Sequence, residues 1–232
     1  MKNTLSMDWD LYWRKALEPE QQGLYQVIAK FYRDQIISRS AAAILSRHFV
    51  DSNDRRYLHA GCGSGGSDLR IPLRRARFHF LDLSSIALDL HRRQPMRLQR
   101  SYVRASIFYL PYASNSLDGI FNLGVMEHFT LPQISTILSE FRRVLKTDGR
   151  MVLFWPPDFG LSVLVLGTFL RVINWFRREP LRLVPDEVSR IHSFRWVRKL
   201  MQENHFRVLR TEFGPRDLFT QVVVVATKGD GI

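Results

Sequence analysis

Four glycines, Gly61, Gly63, Gly65 and Gly66, crowd into the run YLHAGCGSGGSDL. A short apolar run precedes them, which puts them at a strand-to-helix turn, where glycine permits positive φ and lets a ligand approach the backbone. Gly61, Gly63 and Gly66 also spell GxGxxG, the pattern of a dinucleotide-binding turn. Asp82 ends the next apolar run, FHFLDLS, 21 residues beyond Gly61. A carboxylate there can accept hydrogen bonds from both hydroxyls of a ribose. Loop and carboxylate together point to a ribose-bearing cofactor. A nicotinamide dinucleotide and other nucleoside cofactors fit these two features equally well.

The elements that must position them are legible as patterns. Residues 8–17 carry Trp9, Tyr12, Trp13 and Leu17 at near-helical spacing, able to fold back on a core. Residues 20–48 keep a rough apolar stripe and predict a long amphipathic helix. From Arg56 onward, short apolar runs alternate with helical segments, the βαβ signature of a mostly parallel sheet. The spacing predicts strands at 56–60, 77–82, 100–105, 117–123, 150–155, 206–213 and 219–227. It predicts helices near 66–76, 84–93, 131–146 and 192–204. The last two strands are joined only by GPRDL, so they are expected to form an antiparallel hairpin. The fold expected is an α/β, Rossmann-like sheet of seven strands. An N-terminal helical extension occupies residues 1–50, and a main domain occupies 51–232 with an insertion at about 158–190.

Composition narrows the class. The 232 residues are 45% apolar and 24% charged, as in a folded globular protein and unlike a disordered chain. Cys62 is the single cysteine, so a disulfide scaffold is excluded. The start, MKNTLSMDWDLYWRK, lacks the apolar core of a signal peptide, and the expectation is a cytoplasmic protein. The net charge of +12 is concentrated between Arg70 and Arg100 and between Arg171 and Lys199. Such patches suit nucleic acid, anionic lipid or acidic substrates, or are solvated surface.

Two further segments separate the cofactor classes. ASIFYLPYASNSLDGIFNLGVMEHF and ILSEFRRVLKTDGRMVLFWPP resemble the class I S-adenosylmethionine-dependent methyltransferases, in particular the small-molecule group of ubiquinone and menaquinone biosynthesis. The resemblance covers residues 56–157 strongly and the C-terminal hairpin weakly. It implies S-adenosyl-L-methionine as cofactor, with Gly61, Gly63 and Gly65 around its methionine half. It also implies Asp82 on the ribose, Leu83, Ser106 and Ile107 around the adenine, and Asn122 and Gly124 lining the methionine end. His59 and Ser106 depart from the family, which has acidic residues there. Each departure removes a charge-assisted contact of about 1.5–3 kcal/mol. Pro156 and Pro157 in WPPDF look like the NPPY of nucleic-acid amino methylases, but stand after the fifth strand instead of the fourth.

A sulfonium methyl donor is already activated, so the protein's part is in-line placement and exclusion of water. A general base is needed only when the acceptor must lose a proton. His128, by family position, and His192, opening the helix after the insertion, are the candidates; Asp158 and Glu187 are weaker ones. No metal is expected. Gly160, Gly167, Arg171, Asn174 and Arg178 share one helical face of the insertion, with apolar residues covering the rest. Residues 159–183 are therefore expected to lie on a membrane surface or over an apolar acceptor. The reading expected is methyl transfer to a small, apolar or lipid-like molecule. An RNA or protein methyltransferase, a NAD-binding oxidoreductase and a non-catalytic cofactor-binding homologue are the alternatives.

Overall fold

The computed structural model describes residues 8–18, 24–161 and 187–229. Helix α1 spans Trp9–Ala16, with the Asp8 carboxylate accepting from the Leu11 N–H as its cap. A second helical run begins as α2 (Leu24–Phe31), widens to a π-helical turn at Tyr32–Ile37 and continues as α3 (Ser38–His48). The strands are β1 (Arg56–Ala60), β2 (Arg77–Asp82), β3 (Gln99–Arg104), β4 (Leu117–Leu123), β5 (Leu145–Trp155), β6 (Phe206–Glu212) and β7 (Val222–Lys228). The remaining helices are α4 (Ser85–Arg92), α5 (Leu131–Val144) and α6 (Phe194–Glu203).

The strands form one sheet in the order β3-β2-β1-β4-β5-β7-β6. The first five are parallel, and β7 runs antiparallel to both β5 and β6. The C-terminal pair is thus a hairpin whose second strand is inserted beside β5. Side chains along β5 alternate between the two faces. Met151, Leu153 and Trp155 join a core with Ile134, Ile137 and Phe141 of α5 and Val197 of α6. Val152 and Phe154 join a second core with Phe78 and Phe121 and with Ala41, Ile44 and Leu45 of α3. Because both faces are covered, the central strands read as largely apolar runs.

Three predicted boundaries differ by more than two residues. The helix expected over 66–76 is a single 3-10 turn, Gly66–Asp68, followed by irregular chain. Pro72 cannot sit in a helix interior, and Ile71 and Leu73 are buried on either side of exposed Pro72, as in extended chain. Strand β5 begins five residues early, at Leu145, directly at the end of α5. Strand β7 begins three residues late, because Leu218 and Phe219 adopt φ of 60° and 56° in the preceding turn. The insertion lies outside the described residues over 162–186, and with it nearly all of the amphipathic element expected over 159–183. Among the described residues, no helix is long and apolar enough to cross a membrane.

The start of β4 is locked to its neighbours by one buried carboxylate. Asp118 accepts from Arg55 Nη1 at 2.8 Å, from the Arg56 N–H at 2.9 Å and from Lys146 Nζ at 2.8 Å. It ties the residue before β1, the first residue of β1 and the start of β5 to β4. Removing one partner of a buried ion pair leaves charge uncompensated. Because Arg55 and Lys146 are a third or more exposed and can rehydrate, Asp118→Ala is expected to lower unfolding stability by about 1–3 kcal/mol, read from urea denaturation followed by circular dichroism.

Candidate functional site

A cavity of about 300 Å³ opens at the C-terminal edge of the parallel strands, at the point where the strand order reverses between β1 and β4. Open parallel sheets offer their crevice there. Its floor is the loop Gly61–Ser67. One wall is Asp82 and Leu83 after β2, and another is Ala105–Phe108 after β3. The third wall runs from Leu123 to Val125 after β4 and includes His128 and Phe129. Trp9, Tyr12 and Trp13 of α1 form the roof, and Arg33 reaches in from the π-helical turn.

The loop is shaped by what surrounds it. Gly63 has φ +53°, and a Cβ there would stand 3.1 Å from the Trp13 ring, filling the space between loop and roof. Gly65 has φ +79°, and its Cβ would strike the His91 ring at 2.7 Å. Asp82 closes the loop: its Oδ2 accepts from the Gly63 N–H and its Oδ1 from the Ser84 N–H, both at 2.9 Å. Each oxygen keeps acceptor capacity for a ligand hydroxyl. Burial pushes the Asp82 carboxyl above its ordinary range.

Beneath the loop lies a buried polar cluster. His59 Nδ1 and His91 Nε2 meet the same oxygen of Asp68, at 2.8 and 3.0 Å. An ionised carboxylate only accepts, so both imidazoles donate. Burial alone would raise the Asp68 carboxyl, but the two imidazoles outweigh it and hold the group below its ordinary range. His91 Nδ1 contacts the Tyr102 hydroxyl at 3.3 Å, and His59 stacks on Phe121 at 4.1 Å between centroids. The three ligand-type atoms lie within 4.8 Å of one another, near enough to hold a metal ion. The two contacts to Asp68 are of hydrogen-bond length and satisfy their donors without one. His59, which departs from the resembled family's acidic position, is therefore engaged with an acid supplied nine residues later.

The roof is tied down by Asp10, which accepts from Ser84 Oγ at 2.6 Å and pairs with Arg104 at 3.3 Å. Ser84 is itself the N-cap of α4. Within the roof, Trp9 meets Tyr12 and Tyr12 meets Trp13 edge-on, and Trp9 also meets His128 edge-on at 5.5 Å.

Of the residues singled out from sequence, Gly61, Gly63, Gly65, Asp82, Leu83, Ser106, Ile107, Gly124 and His128 line this cavity. Asn122 and His192 do not. Side chains alternate along β4, so with Leu123 on the cavity wall Asn122 lies on another side, wholly buried. His192 is exposed, hydrogen-bonded to Asp158 and edge-on to Trp196. Glu187, also weighed from sequence, pairs with Arg190 at 2.6 Å. Sequence reasoning missed Tyr12, Trp13 and Trp9 as a roof, although their spacing was visible. It missed Arg33 altogether, because nothing local marks a helical arginine as cavity-lining.

Next to His128 stands Glu127, buried, with its carboxyl pushed up to about 8 by burial and by the charge of Glu187. Its backbone carbonyl accepts from the Val188 and Ser189 N–H groups, so this turn carries the chain returning from the insertion.

Comparison with known proteins follows the same outline. Residues 58–153 match the family model described as a methyltransferase domain. The chain is 27% identical over 139 residues to an uncharacterized protein of Methanocaldococcus jannaschii, covering 58% of this chain and 55% of that protein. It is 31% identical over 102 residues to a fatty-acid O-methyltransferase of Mycolicibacterium smegmatis, covering 43% of this chain and 36% of that one. The chain thus spans about half the length, or less, of these curated relatives. In structure it is similar to the magnesium protoporphyrin IX methyltransferase of Synechocystis with bound SAH (TM-score 0.65, 19% identity, 94% of this chain and 93% of that chain).

Glu127 gives a pH test. Its folded pKa is raised above the unfolded value of 4.5, so between about pH 4.5 and 8 the unfolded chain ionises while the folded one stays neutral. Stability conferred by the neutral carboxyl is therefore lost as pH rises through that window. Glu127→Gln is expected to be more stable than the parent at pH 8, by on the order of 3 kcal/mol relative to the difference at pH 4, in urea titrations.

Proposed function

We propose that this chain, whose residues 58–153 match a methyltransferase domain and whose fold is like that of a solved methyltransferase, transfers a methyl group from S-adenosylmethionine to a small, apolar or lipid-like acceptor. The observation that carries the reading is one cavity shared by the glycine loop, Asp82, the turn after β3 and His128. The residues present fit the cofactor. The loop leaves Cβ-free space at Gly63, Asp82 retains acceptor capacity for ribose hydroxyls, and Leu83 and Ile107 offer apolar faces to a base. When bound, the cofactor supplies an activated methyl on a sulfonium.

The chain's own work is then placement. Asp82 fixes the ribose and, through Gly63, the loop. Ser106 is absorbed locally: its hydroxyl accepts from the Phe108 N–H at 3.2 Å and holds the turn over the cavity. Trp9, Tyr12, Trp13, Phe108 and Phe129 exclude water and present an aromatic surface to an acceptor. This surface supports an apolar acceptor, as does the likeness to a fatty-acid O-methyltransferase. His128, on the wall after β4, is the group placed to take a proton from an acceptor that must lose one.

Calorimetry with S-adenosylhomocysteine tests the cofactor. Asp82→Ala is expected to weaken binding by about 2–4 kcal/mol in a folded protein. Unchanged affinity would remove Asp82 from the site, and a purified protein retaining a nicotinamide dinucleotide would overturn the reading. Labelled methyl transfer into cell extracts tests the acceptor, with label expected in the lipid or small-molecule fraction; label confined to RNA or protein overturns the acceptor class. In that assay His128→Ala is expected to lower turnover about a hundredfold with cofactor affinity retained, if the acceptor titrates.

A further inference from the structure

The cavity holds a cation to which none of these roles has been given. Arg33 sits half-buried on the π-helical turn Tyr32–Ile37 and lines the cavity beside the loop. Its stem runs along the loop itself: a Cβ on Gly66 would be 3.4 Å from Arg33 Cδ and 3.6 Å from Cγ. Its charge acts on the Tyr12 hydroxyl in the roof. The head is therefore held between loop and roof. The turn is fixed there by Tyr32, whose hydroxyl donates to the Asp217 carbonyl at 2.8 Å, and by Asp34, whose carboxylate occupies the space where Gly66 lacks a Cβ.

The neighbouring charges are already engaged. Asp34 pairs with Lys30, Asp10 with Arg104, and Asp82 with the Gly63 and Ser84 N–H groups. Among the described residues, Arg33 has neither an ion pair nor a side-chain hydrogen bond. A guanidinium on a cavity wall is a planar fork of donors suited to a carboxylate. The position before the loop is His59, which is paired with Asp68 through Nδ1 and does not line the cavity.

We propose that Arg33 binds the α-carboxylate of the cofactor's methionine half, an inference that rests on the S-adenosylmethionine reading above. A carboxylate entering this cavity loses much of its hydration, and Arg33 is the cation beside the loop able to replace it. The amino-acid end of the cofactor is thus recognised from the helical run before β1. The loop alone supplies the backbone cradle.

Two ligands that differ by that amino-acid end make the test. S-adenosylhomocysteine carries it, and methylthioadenosine, with the same nucleoside and sulfur, does not. By calorimetry, Arg33→Met is expected to weaken S-adenosylhomocysteine binding about 10- to 100-fold and to leave methylthioadenosine within about twofold. Arg33→Lys, which keeps the charge and loses the fork, is expected to fall between. Equal loss of both ligands would overturn the assignment, since Arg33 would then be supporting the fold of the cavity. Unchanged binding of both would overturn it as well, leaving Arg33 for an anionic acceptor or for solvent. If the unmodified protein binds neither ligand, the cofactor reading itself fails and this inference falls with it. That outcome is distinct, because it needs no variant to appear.

Discussion

One carboxylate oxygen, Asp68 Oδ2, takes hydrogen bonds from two imidazoles, His59 at the end of β1 and His91 near the end of α4. All three side chains are buried, so none can turn to water for a replacement partner. The oxygen therefore fixes the distance between the first strand, the 3-10 turn that follows the glycine loop, and the helix that follows β2. The loop spans that triangle. Its conformation is set from below by the cluster and from the side by Asp82, which pulls the Gly63 N–H toward the end of β2. The His91 ring leaves no room for a side chain at Gly65. The cavity floor is thus preorganised before any ligand arrives, the condition under which binding energy is not spent on ordering the protein.

What rests on this floor comes from the N-terminal helices. The π-helical turn leans on Gly66 through Asp34 and Arg33, and α3 continues from it into the core beside Phe78 and Phe121. Helix α1 has no buried residue of its own. It is held by its aromatic face over the cavity and by Asp10 at the start of α4. Its ion pair with Arg104 is largely exposed and contributes little on its own. The roof is consequently the weakest-anchored wall of the cavity, and the floor the strongest. That order suits a site in which something must enter and leave from above.

The opposite wall depends on Glu127. Its backbone carbonyl receives the returning chain at Val188 and Ser189, and Ser189 also donates to the Met126 carbonyl at 3.0 Å. Burial keeps its carboxyl neutral at pH 7, so it burdens the wall with no charge. The chain entering α6 is thus anchored to the turn that carries His128, and at Ile191 it pairs with the chain leaving β5 at Pro156–Asp158.

Period and punctuation made most of the fold legible in the sequence. Short, mostly apolar runs of five to seven residues, ending at or just before a glycine or an aspartate, gave β1, β2 and β4, because strands buried on both faces are largely apolar. The short link around GPRDL, nine residues long in the structure (213–221), is too short for a parallel crossover and forced an antiparallel ending. The glycine loop and Asp82 were readable because their chemistry is local, a backbone requirement and a strand-end carboxylate. His59 looked like a lost acid, and only the packed structure returned that acid as Asp68, from the far side of the loop. Trp9, Trp13 and Arg33 became cavity walls through contacts spanning 30 residues or more, which no local period encodes. His192 and Asn122 carried plausible residue types at plausible positions, but the pleat of β4 turns Asn122 away from the cavity, and His192 stands exposed before α6 against Asp158 and Trp196. Sequence determined which backbone could form the site; tertiary packing decided which side chains face it, because facing is set by contacts between distant segments.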